Sequence, residues 1–104
     1  MFRQRPDADM VTHGWVVGVM IEIPGERAPV RHYFAVGHPD RARAEWAAVD
    51  QALATGAVAS SPYQGQEPVE ALREVAVYRA RELGLLKGEA RALGDKFPRR
   101  WLPS

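Results

Sequence analysis

The sequence predicts an α+β fold in the order β-β-α-α. This is an antiparallel β-hairpin, with room for a third short strand, and two main helices packed on one of its faces. Three observations predict it. Residues 12–23 and 30–36 are β-branched runs whose apolar positions alternate. The stretch between them is dense in proline and glycine. From residue 39 to residue 93 apolar side chains recur at helical spacing, interrupted by turn-rich residues 57–67. A chain of 104 residues suits one domain, here 10–94, with a flexible leader over 1–9 and an extended tail over 95–104.

In the first run Trp15, Val17, Val19, Ile21 and Ile23 share one strand face, and Val16, Gly18, Met20 and Glu22 the other. In the second, Val30, His32, Phe34 and Val36 alternate with Arg31, Tyr33 and Ala35. A turn centred on Glu26 and Arg27 pairs Ile23 with Val30, Ile21 with His32, Val19 with Phe34 and Val17 with Val36, and it merges the two apolar faces. Pro39 at the first helical position and Asp40 in the first turn then open a helix. Its apolar stripe, Ala42, Trp46, Val49 and Leu53, is expected to cover the hairpin, and Gly56 to end it. Residues 57–60 suit a short edge strand. Pro68 marks a second helix, with Val69, Leu72, Ala76, Ala80 and Leu83 near one face and Gly84 as its left-handed cap. A shorter helical stretch follows over 89–93.

Composition narrows the chemistry. No cysteine is present, which excludes disulfides, thiolate catalysis and cysteine zinc sites. The sequence has no phosphate-cradling glycine loop, nucleophile elbow or His-Glu-x-x-His helix, so no catalytic residue and no cofactor is assigned. No apolar stretch reaches the ~20 residues that span a bilayer, and no charged leader precedes an apolar segment, so a cytoplasmic location is expected. Arginine outnumbers lysine twelve to two, a usage that points to a GC-rich bacterial source. The proposed register brings His13 and His38 together at the open end of the hairpin with Asp40 nearby, the one arrangement that suits an open metal site.

The tripeptide His38-Pro39-Asp40 resembles the hallmark of J-domain co-chaperones, which set it between two helices to engage a chaperone partner. The likeness covers three residues. Residues 30–36 read as strand where that family has a basic helix, and a helix start accounts for the same tripeptide. Residues 79–93 resemble a helix-turn-helix DNA-binding unit, with Gly84 between Leu83 and Leu85 at the turn. The last 21 residues add a net charge of +3, against −2 for residues 1–83.

Two functional expectations result. The first is a small non-enzymatic interaction domain that self-associates as a homodimer, because both hairpin faces are apolar and one helical layer covers only one of them. Met20, Tyr33 and Trp101 are its interface candidates. The alternative is a nucleic-acid-binding module using Lys87, Arg91, Lys96, Arg99 and Arg100.

Overall fold

The computed structural model describes residues 9–103. The elements are β1 (Trp15–Glu22), β2 (Val30–Val36), α1 (Arg41–Ala52), β3 (Ala57–Val58), β4 (Val69–Glu74), α2 (Val77–Glu82) and β5 (Ala90–Gly94), followed by a 3-10 turn at Arg99–Trp101. All five strands join one antiparallel sheet. β1 and β2 lie at its centre, β5 pairs the outer side of β2, and β3 and β4 share the outer side of β1 end to end. The expected hairpin carrying two helices on one face is therefore corrected to a five-stranded sheet in the order β-β-α-β-β-α-β. Its two faces are covered separately.

The hairpin forms, but its register slides by two residues. Trp15 pairs Val36, Val17 pairs Phe34, Val19 pairs His32 and Ile21 pairs Val30. The turn sits at Pro24–Gly25, where the Glu26 N–H donates to the Ile23 carbonyl (3.0 Å), and the chain then continues unpaired to Pro29. A shift by an even number leaves every side chain on its expected face. On the back face the Arg31 side chain crosses β1 at Gly18 and reaches Glu70 on β4 (3.1 Å). A Cβ at residue 18 would stand 2.5 Å from Arg31 Nε, so the crossing needs glycine there. Arg31 Nε itself is buried without a hydrogen-bond partner among the described residues.

On the front face, Val17, Val19, Ile21, Phe34 and Val36 meet α1 through Ala44, Ala48 and Ala52. The Asp40 carboxylate caps the helix by accepting from the Arg43 N–H (2.9 Å), which places Pro39 just ahead of the cap rather than inside the first turn. Trp15 Nε1 donates to the Pro39 carbonyl (3.0 Å) and ties this helix start to the sheet. The expected core stripe of α1 is thus the wrong side of the helix. The two stripes have the same period. A sheet face already filled by valine, isoleucine and phenylalanine accepts the alanine side at close range and leaves Trp46 outside.

The second helix, expected to run from Pro68, begins only at Val77. The helix-forming residues of Val69–Glu74 are taken up as β4, because the outer side of β1 offers backbone partners that a helix there would leave unpaired. The ladder is bulged near Leu72, and the Ala71 N–H donates to Glu45 Oε2 on α1 (2.8 Å). The stretch 89–93, expected to be helical, is likewise recruited into β5 (Ala90–Gly94) by the free side of β2. The helix-turn-helix reading falls with both changes.

The back face is closed by Val11, Val75, Ala80, Leu85, Trp101 and Leu102, which pack over Val16 and Ala35. Gly84 adopts φ +82° at the end of α2, and Leu85 folds beneath with its N–H on the Ala80 carbonyl (2.9 Å). The segment expected as an extended tail turns back, and the Trp101 carbonyl accepts from the Ala76 N–H (2.8 Å). The leader expected over 1–9 lies outside the described residues except for Asp9, whose carbonyl accepts from the Lys87 N–H (3.0 Å). Among the described residues no helix is long and apolar enough to cross a membrane.

Candidate functional site

Two surfaces stand out, one on each side of the sheet. The first follows from the orientation of α1. With its alanines on the sheet, Trp46 is left 71% exposed and Leu53 57% exposed. Val49 lies between them at helical spacing, and Val69 of β4 borders the same shallow depression of about 240 Å³ with Glu45. Arg43 and Asp50 flank one side of this stripe, and neither forms an ion pair among the described residues. Glu45 is committed to the Ala71 N–H, with Arg41 Nε 3.8 Å away.

The second surface lies where β4, α2 and the C-terminal segment meet. Arg73, Arg79 and Arg99 line a depression of about 380 Å³ together with Phe97, Leu102 and Pro103. A neighbouring depression of about 450 Å³ shares Phe97 and Arg99 and adds Lys96, Arg100 and Trp101. Phe97 is 52% exposed, held by a T-shaped contact with Tyr33 at 5.7 Å between ring centres. Arg79 also lies 5.6 Å over the ring of exposed Tyr78.

The sequence-derived candidates divide between these places. Met20 is 2% exposed and Trp101 7%, so their own chain covers both and they offer no free surface. Tyr33 is half-buried between Arg31 and Phe97. Lys96, Arg99 and Arg100 belong to the second surface. Lys87 does not; it lines another depression with His13 and His38.

Arg91 has structural work. Its guanidinium donates to the Leu83 and Gly84 carbonyls (2.6 and 3.0 Å), holds both oxygens of Glu89 (2.9 and 3.1 Å) and lies 5.9 Å over the Trp101 ring. It caps the C-terminal end of α2, where the carbonyl groups carry partial negative charge. Burial pushes the Glu89 carboxyl up. The hydrogen bond from Arg91, the Leu86 N–H and the Arg91 charge outweigh that and hold it below its ordinary value.

His13 and His38 share one depression, as the hairpin geometry suggested. Asp40 is turned to α1 as its cap, and its own N–H donates to His38 Nδ1 (3.2 Å). Among the described residues no group of three or more metal-ligating side chains stands together.

Sequence reasoning missed Trp46 and Leu53 as surface residues and missed Arg73 and Arg79 altogether. The alanine repeat 44/48/52 on the opposite side of α1 was the available signal for the first pair. The arginines sit on different elements and meet only through the fold. No protein-family model, no curated protein and no solved structure matches the chain, so these two surfaces carry the functional reading.

Proposed function

We propose that the protein is an interaction domain that self-associates through the exposed face of α1. The observation that carries this reading is the Trp46–Val49–Leu53 stripe, an apolar helix face turned away from its own core. The back face of the sheet, closed by the chain itself, offers no comparable apolar surface.

A second copy is the occupant that fits the stripe. Trp46 and Leu53 are seven residues apart, about 10 Å along the axis. In an antiparallel two-fold pairing Trp46 of each copy meets Leu53 of the other, which makes the surface self-complementary. Charge favours the same arrangement. Arg41 and Arg43 occupy the first turn of α1, where they oppose its dipole, and the last turn carries no basic residue. Antiparallel packing brings those arginines to the negative end of the neighbouring helix and sets Arg43 and Asp50 of the two copies on a common flank.

Sedimentation equilibrium from low to high micromolar concentration tests the reading. The wild-type chain is expected to dimerise, and Trp46→Glu to remain monomeric with an unchanged circular dichroism spectrum. A wild-type chain that stays strictly monomeric at high micromolar concentration overturns it.

A further inference from the structure

We propose that the basic surface on the back of the sheet binds single-stranded nucleic acid, with Arg73, Arg79 and Arg99 engaging phosphates and Phe97 stacking on a base. The inference rests on a different surface from the α1 reading and on none of its observations.

The arginine side chains of the described residues differ in their partners. Arg31, Arg41 and Arg91 have carboxylate partners, and Arg81 Nε donates to the Val11 carbonyl (3.0 Å). Of the arginine side chains with no carboxylate or carbonyl partner among the described residues, Arg73, Arg79 and Arg99 are brought by three separate elements to one depression. Like charges gathered without counter-charge repel, and an anion between them relieves that repulsion. Guanidinium groups suit phosphate oxygens, which they bind through paired N–H donors.

The surface is longer than one phosphate needs. It continues past Arg99 to Lys96 and Arg100, which extends the positive track along the C-terminal turn. At the junction of the two depressions stands Phe97, half exposed and braced by Tyr33. An aromatic ring held at the surface inside a basic track is what recognition of unpaired bases requires, since every base has a face to stack and a duplex keeps its bases covered.

Fluorescence anisotropy with a labelled single-stranded oligonucleotide of mixed sequence, as DNA and as RNA, tests this against the same sequence as a duplex. Wild-type protein is expected to bind the single strand more tightly, with a log–log salt slope of about −2 to −3, as three or four phosphate contacts produce. The triple variant Arg73→Gln/Arg79→Gln/Arg99→Gln keeps the side-chain stems and is expected to lose at least about tenfold in affinity and to flatten that slope. Phe97→Ala is expected to weaken binding about fivefold to a hundredfold without changing the slope, which separates stacking from charge. Lys87→Ala, outside the track, is expected to bind as wild type. Circular dichroism and thermal melting of each variant establish that it is folded. No binding of the single strand at low salt overturns the proposal, as does equal or tighter binding of the duplex. Binding of tripolyphosphate alone, or unaltered binding by the folded triple variant or by folded Phe97→Ala, also overturns it.

Discussion

The two faces of the sheet are both covered by the chain itself, but in different ways. On the front a single regular helix presents Ala44, Ala48 and Ala52 to the large side chains of β1 and β2. On the back Val16 and Ala35 of the sheet, with Tyr33, Leu72 and Leu93 partly buried beside them, meet Val11, Leu85, Trp101 and Leu102 from several short covering segments. Complementary volume is required in both cases, because interiors pack to nearly crystalline density. The difference determines what remains outside. A helix that spends its alanines inward turns Trp46 and Leu53 to solvent. A patchwork of short segments turns Leu85, Trp101 and Leu102 inward and leaves arginines and the half-exposed Phe97 around its rim.

Perturbing one face at a time sharpens the comparison. The largest losses belong to the interior. Phe34→Ala on the front and Trp101→Ala on the back are each expected to cost about 3–5 kcal/mol in urea unfolding. Near-equal losses would mark the C-terminal turn as part of the fold; a loss below about 1 kcal/mol at Trp101 would mark the back cover as dispensable.

Next comes the Arg91 clamp, which joins α2, β5 and the Trp101 ring. Arg91→Ala is expected to cost about 2 kcal/mol, as it strands two carbonyl groups and a carboxylate. The same clamp sets an acid dependence. The Glu89 carboxyl is held below its ordinary value in the folded chain, so its contribution is complete above the ordinary carboxylate range and is lost as pH falls through the folded value. Glu89→Gln is therefore expected to be destabilised at neutral pH and to approach wild type in acid. Parallel stability curves for the two proteins would break the assignment.

The smallest effect on stability is expected at the exposed stripe. Trp46→Ala should unfold within about 0.5 kcal/mol of wild type when measured as monomer, while losing self-association. A loss comparable with that of Phe34→Ala would mean that the front helix packs on its Trp46 side after all.

The sequence made the hairpin legible, because alternation in 15–23 and 30–36 leaves only one consistent pair of faces. It also showed that a helix opens close to Pro39–Asp40, though not that Asp40 is its cap, and it showed the short strand after Gly56 and the left-handed turn at Gly84, all of which depend on contacts within a few residues. The pairing of His13 with His38 in one depression followed from the same hairpin, and an even-numbered slip of register preserved it.

Whatever depended on distant partners lay beyond it. Val69–Glu74 and Ala90–Gly94 have the composition of helices and became strands because β1 and β2 presented unpaired backbone on their outer sides. The orientation of α1 was undetermined for a related reason: its two stripes share one period, and only the volume already occupied on the sheet chose between alanine and tryptophan. The basic surface was the least visible of all. Arg73, Arg79 and Arg99 come from three elements whose meeting requires the C-terminal segment to turn back over the sheet. Local pattern thus determined the central ribbon and its ends, while competition for backbone partners and for space, which exists only in the folded chain, decided the outer strands, the helix face and the surfaces left for function.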